Sequence, residues 1–255
     1  MKVAIGTPMY GGTCTAGYMT TVFNLMNYLK NNCHEVIFIT VINESLISRA
    51  RNEIARRFLE TDADVLLFID ADITFDAKNV YDMLMLDLEV VGSVVPIKKM
   101  NWESIVEGMI TYNGMVHPNM FGRYFNINSN SHSDLYDLAQ QNKPFEVLRI
   151  GTAVLSIKRN VFEQMKPIVK TYVSNTQGED RMVSWDFFPV YVEDEILISE
   201  DFSFCNRWRE MGNKVYAVGH FDVTHNGTFD YIGNFKRELK KDREYKEKMS
   251  NAKHN

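Results

Sequence analysis

The N-terminal part of the chain alternates two hydrophobic rhythms. Lys2–Thr7 (KVAIGT), His34–Ile42 (HEVIFITVI), Asp64–Asp70 (DVLLFID) and Leu88–Pro96 (LEVVGSVVP) are short, nearly continuous apolar runs, and each predicts a strand. Between them the apolar positions recur every three or four residues. Ala16–Lys30 sets Tyr18, Val22, Leu25, Met26 and Leu29 on one helical face. Ser45–Thr61 predicts a second helix with Ser45 as its N-cap, and Asp76–Leu86 a third that starts on an aspartate. Strand and helix in this order imply βαβ units and a mainly parallel sheet, whose strands are covered on both faces and read as unbroken apolar runs.

The pattern fades between Met100 and Lys143, which is rich in Asn, Ser, His and Gly; Asn126–Asp134 (NINSNSHSD) predicts a mobile loop. It returns in FEVLRIGTAVLSIKRNVFEQM as two strand-like runs and a helix from about Arg159. Ser199–Gly212 (SEDFSFCNRWREMG) predicts a helix with Glu200 and Asp201 in its first turn and Gly212 at its end. KVYAVGHFDVTHNG supplies one or two last strands. Residues 234–255 hold eight Lys/Arg against four Asp/Glu and predict a basic helix packed on the domain.

Composition changes this picture little. With 255 residues, 45% hydrophobic and 24% charged, the chain is that of an ordinary globular domain. A net charge of −5 argues against a nucleic-acid partner. No apolar run is long enough to span a bilayer, although the basic tail is able to make a peripheral contact with an anionic membrane. The three cysteines, Cys14, Cys33 and Cys205, lack metal-site spacing, so a reducing, cytoplasmic location is expected.

The chemistry begins where DVLLFID runs into Asp70-Ala71-Asp72. In open α/β sheets ligands bind beyond the carboxyl ends of strands. Two carboxylates so close repel unless a positive charge stands beside them, and a divalent ion with hard oxygen ligands, Mg²⁺ or Mn²⁺, is the simplest such charge. Such an ion would hold a nucleoside diphosphate and neutralise it as it leaves. A lone Asp-x-Asp recurs by chance; its place after a buried-type strand singles this one out.

The order IGTPMYGG, SRARNEIARRFL, ADVLLFIDADITF, GTAVLSIKRNVFEQM, SEDFSFCNRWREMG resembles nucleotide-sugar-dependent glycosyltransferases of the GT-A fold, family 2-like and small viral members included. The resemblance spans roughly Lys2 to Gly227. It implies an α/β, Rossmann-like sandwich with a central, mainly parallel sheet and helices on both faces. One GT-A domain would cover 1–233, with a nucleotide-binding half (1–96) and an acceptor-binding half (97–233), followed by the basic tail 234–255. The implied activity is metal-dependent, inverting transfer from a UDP-sugar to a glycan or glycoconjugate hydroxyl, with Mn²⁺ or Mg²⁺ as cofactor.

Residue by residue, the resemblance implies that Thr7, Pro8 and Tyr10 hold the nucleoside, with Tyr10 stacked on the base, and that Arg49 reaches the nucleotide. Arg51, Arg56 and Arg57 are then solvated helix charges, and Asn52 is a helix-surface residue. Asp70, Ala71 and Asp72 form the diphosphate turn, with Asp70, Asp72 and the late His225 as metal ligands. Asp201 is the implied general base and Glu200 the second choice. Lys98 or Lys99 faces the pyrophosphate, Gly151 and Thr152 line the sugar site, and Trp102 and Trp185 are sugar platforms, although burial would suit either ring as well.

Two other functions use the same frame. A sugar-phosphate nucleotidyltransferase would carry a Gly-rich loop with a basic residue after the first strand, and TPMYGGTCTAG has none. A non-catalytic nucleotide- or carbohydrate-binding module would not need both DAD and SED.

Overall fold

The structure is a computed structural model that describes residues 1–115, 121–128, 132–174, 182–227 and 229–252. In chain order the first part is β1 (Lys2–Met9), α1 (Ala16–Asn31), β2 (Glu35–Ile42), α2 (Ile47–Glu60), β3 (Val65–Ile69), β4 (Ile73–Phe75), α3 (Ala77–Leu84) and β5 (Val90–Ser93). The middle is β6 (Pro96–Met100), α4 (Trp102–Thr111), β7 (Arg123–Phe125), β8 (Ile127–Asn128), α5 (His132–Gln140), β9 (Phe145–Val147), β10 (Arg149–Ile150), β11 (Val154–Lys158) and α6 (Arg159–Met165). The last part is β12 (Thr171–Ser174), β13 (Met182–Trp185), β14 (Tyr191–Glu193), β15 (Ile196–Ile198), α7 (Glu200–Glu210), β16 (Val215–Val218), β17 (Val223–His225), β18 (Tyr231–Gly233) and α8 (Phe235–Ala252).

Seven strands form the central sheet, in the order β2-β1-β3-β11-β5-β16-β9. β1, β2, β3, β5 and β16 run one way; β11 and β9 run against them. All five residues of β3 are buried, because helices cover both faces. The period of two decides which face each residue serves. Val3, Ile5, Leu67 and Ile69 join Leu25 and Leu29 of α1 in one core, whereas Ala4, Leu66 and Phe68 join Ile54 and Phe58 of α2 and Trp208 of α7 in the other. This is the mixed α/β sandwich expected from the sequence.

Two departures from parallel order build the site. β11 is inserted antiparallel between β3 and β5, so its first residues, not its last, reach the carboxyl edge. The Asp70 amide donates to the Ala153 carbonyl at 3.0 Å, which sets Gly151 and Thr152 beside the DAD turn. β4, directly after that turn, pairs antiparallel with β17, and the register places His225 opposite Ile73. The Asn226 amide then donates to the Asp72 carbonyl at 2.7 Å.

Some local expectations fail for identifiable reasons. α2 starts at Ile47 with Leu46, not Ser45, as its N-cap and with no side-chain cap; just before it, Glu44 accepts from the Leu46 amide at 3.0 Å. The weakly patterned middle contains α4 and short strand pairs. Of the expected loop 126–134, residues 127–128 are strand and 132–134 begin α5, while 129–131 lie outside the described residues. The basic tail is helical, and its anchor is Lys241, fully buried against α4. The Lys241 ammonium reaches Glu238 at 3.0 Å, Asp242 at 2.7 Å and the Ser104 hydroxyl. Burial disfavours its charge, but these partners outweigh burial and raise its pKa. Among the described residues no helix is long and apolar enough to cross a membrane.

A two-lobed cleft at the DAD turn

α2 brings an arginine to the end of β3, but it is Arg51 and not Arg49. Two positions along a helix turn a side chain by about 200°, so the two point to opposite sides. Arg49 leaves the cleft and makes a two-point pair with Glu44, at 2.6 Å on each side. Arg51, expected to be solvated, is 3% exposed. Its Nη2 lies 3.0 Å from Asp70 Oδ1 and 3.3 Å from Oδ2, and its Nε lies 3.2 Å from Glu200 Oε1. Burial works against the guanidinium charge; Asp70 and then Glu200 overcome it and raise its pKa. The sequence does carry a signal for this residue: Arg51 lies on the apolar stripe of Ile47, Ile54, Ala55 and Phe58, at helical spacing.

The neighbouring polar residues of α2 are buried as well. Asn52, expected on the surface, donates to Asp186 at 3.1 Å and accepts from the Phe188 amide at 2.9 Å. Arg56 is enclosed with Glu53, at 2.7 Å, and Arg57 is only partly exposed.

Asp72 has a different set of partners. Its Oδ2 takes the Lys98 ammonium at 2.5 Å, and its Oδ1 lies 3.5 Å from His225 Nε2. His225 Nδ1 meets the Pro96 carbonyl at 2.8 Å, which fixes the ring. Burial pushes the Asp72 carboxyl up, but the contacts to His225 and Lys98 hold it below the ordinary aspartate range.

α7 delivers the acidic pair. Asp201 Oδ1 accepts from the Phe202 amide at 2.8 Å and from the Ser199 hydroxyl; Oδ2 accepts from Asn126 at 2.9 Å. Nothing in the weakly patterned middle section marked Asn126. The residue is held by close packing, since a Cβ on Gly151 would come within 2.4 Å of its Nδ2.

These groups border two adjoining hollows. An inner one of about 200 Å³ is lined by Arg51, Asp70, Asn126, Thr152, Glu200 and Asp201, among others. An outer one of about 420 Å³ is lined by Pro8, Tyr10, Cys14, Ile47, Ala71 and Asp72, among others. Asp70 and His225 belong to both. Buried polar atoms are normally paired; Arg51 Nη1 and Thr152 Oγ1 have no hydrogen-bond partner here, and both residues line the inner hollow. Asp70 Oδ1, close to Arg51 in charge, is also outside hydrogen-bonding alignment.

Several expected residues are elsewhere. Thr7 is fully buried, and its hydroxyl is engaged with Tyr18 at 2.6 Å. Trp102 is 68% exposed at the start of α4 and lines neither hollow. Trp185 packs beside Phe187 and under Lys166, with ring centroids 6.3 Å apart in the first case. Lys99 lies over the Tyr124 ring, and Lys98 is the lysine at the turn. Of the three expected metal ligands, Asp70 is paired with Arg51, Asp72 with Lys98, and His225 stands beside Asp72. Among the described residues, no three His, Cys, Asp or Glu side chains converge as a metal-binding group.

No family model and no curated protein sequence matches the chain. Among solved structures it is similar to A197 from STIV at 15% identity, covering 89% of this chain and 86% of that one, with a TM-score of 0.50. It is also similar to GalNAc-T7, crystallised with UDP, GalNAc and Mn²⁺, at 11% identity and a TM-score of 0.50. That match covers 88% of this chain but 44% of GalNAc-T7, so the chain spans less than half of that protein. The likeness is one of fold, and it agrees with the GT-A type read from the sequence.

Proposed function

We propose that the chain is a glycosyltransferase that moves one sugar from a nucleoside diphosphate sugar to an acceptor hydroxyl. The observation that carries this reading is the pair of hollows that meet at the DAD turn and share Asp70 and His225. In this reading the nucleoside occupies the outer hollow with its base near Tyr10, and the sugar occupies the inner one. UDP is the proposed nucleotide, as in the GalNAc-T7 structure.

Asp72 and His225 fit a divalent ion of the Mn²⁺ or Mg²⁺ kind. Adjacent ligands of an octahedral ion lie about 3 Å apart, close to the 3.5 Å between Asp72 Oδ1 and His225 Nε2. When bound, such an ion offsets negative charge on a leaving diphosphate. Lys98 at the same turn supplies positive charge of its own. Arg51 holds Asp70 and Glu200 in place from below. Asp201 has neutral donors as its partners and is the proposed base. It takes the proton of the acceptor hydroxyl as that oxygen bonds to the anomeric carbon, and the bond from that carbon to the diphosphate oxygen breaks. This is an inverting displacement.

The test is incubation with a panel of nucleoside diphosphate sugars. Release of a nucleoside diphosphate supports the proposal. Release of pyrophosphate from a nucleoside triphosphate and a sugar phosphate would instead establish a nucleotidyltransferase.

A further inference from the structure

We propose that Lys98 is a built-in counter-cation of the DAD turn: it competes with a divalent ion for Asp72 in the free protein and transfers to the diphosphate when a nucleotide binds. The inference rests on the nucleotide reading above for its second half only.

Its first half follows from geometry. The Lys98 ammonium sits 2.5 Å from Asp72 Oδ2, while His225 Nε2 is 3.5 Å from the other oxygen of the same carboxylate. Any ion held by Asp72 and His225 would therefore lie within a few ångströms of a positive charge. At that range like charges oppose each other strongly even where solvent screens them. The arrangement is built from two elements. β6 carries Lys98 and also supplies the Pro96 carbonyl that fixes the His225 ring. The loop after β17 supplies Gly227, whose missing Cβ would lie 3.4 Å from Lys98 Cδ and 3.5 Å from Cε, so the lysine stem runs across a glycine. Asp70 faces a different cation, Arg51, which it shares with Glu200.

The second half follows from the chemistry of lysine. Its ammonium is a point charge on a flexible stem, and this one is 39% exposed and paired with Asp72, which lines the outer hollow. A shift of a few ångströms would carry it from the carboxylate to a diphosphate oxygen beside the turn. The site would then neutralise its ligand without a divalent ion, and an ion would add to binding without being required for it.

The experiment is a titration of ligand-free protein with Mn²⁺, followed by electron paramagnetic resonance. Lys98→Met is expected to bind Mn²⁺ at least about tenfold more tightly than wild type. Lys98→Arg should behave as wild type, and adding Asp72→Asn to Lys98→Met should abolish the gain. A wild-type affinity equal to or above that of Lys98→Met overturns the competition. In a second arm, UDP binding is measured by calorimetry in EDTA and in Mn²⁺. Wild type should bind in both with affinities within about threefold, and Lys98→Met should lose at least about tenfold in EDTA and recover in Mn²⁺. Wild-type binding that needs Mn²⁺ overturns the transfer to diphosphate. UDP binding in neither buffer would sink the nucleotide reading and this second half with it, while the Mn²⁺ titration still decides the first.

Discussion

Arg51 Nη2 lies 3.0 Å from Asp70 Oδ1, so the first carboxylate of the DAD turn is balanced from within the fold by a residue that α2 buries to 3% exposure. Removing one partner of a buried pair leaves the other charge uncompensated, and here two carboxylates, Asp70 and Glu200, would lose the same cation. Arg51→Met is expected to cost about 3–5 kcal/mol, nearer the low end because Asp70 is partly exposed. Urea unfolding checks this, and a loss below about 1 kcal/mol would show that the pair is not structural.

The acidic pair on α7 is expected to divide its labour. Asp201→Asn should keep nucleotide affinity within a few-fold and lower transfer by about 10²–10⁴. Glu200→Gln should chiefly loosen Arg51. Single-turnover kinetics with calorimetric binding separates the two, and transfer that survives Asp201→Asn but not Glu200→Gln would reverse the assignment.

Gly151 is expected to act through Asn126. A methyl group there would come within 2.4 Å of Asn126 Nδ2, the atom that donates to Asp201. Gly151→Ala should therefore lower kcat by about tenfold or more while the melting temperature falls little. A melting temperature that drops with unchanged kcat would place the role of this glycine in packing alone.

The Asp72 contacts have a pH signature. Its native pKa is depressed, so the unfolded chain binds the proton more readily than the folded one. The pairing with Lys98 is then fully present above the unfolded-state value of about 3.9, and it is lost as pH falls through the lower native value. The stability difference between wild type and Asp72→Asn, measured by denaturant unfolding from about pH 5 downward, should shrink below about pH 4. A difference that grows on acidification would contradict the depressed value.

How far the sequence discloses this molecule depends on the kind of pattern each part uses. β3 is legible because both its faces are buried and its five residues are apolar without a break. The start of α7 is legible because Glu200 and Asp201 precede a helical run that Gly212 ends. The direction of β11 is not legible, since an antiparallel strand covered on both faces reads like a parallel one. The choice of Arg49 over Arg51 turns on helical phase, and a two-residue difference inverts the face. Asn126 and Lys98 reach the cleft through long-range pairing, the first beside Gly151 and the second across Gly227, and no local periodicity encodes either contact.

The most direct measurement of the central claim is a crystal structure with UDP and Mn²⁺ bound. The account predicts the uracil in the outer hollow near Tyr10 and the diphosphate at Asp72, within hydrogen-bonding reach of Lys98. UDP lodged away from the DAD turn, with Asp72 and Lys98 still paired and untouched, would contradict it.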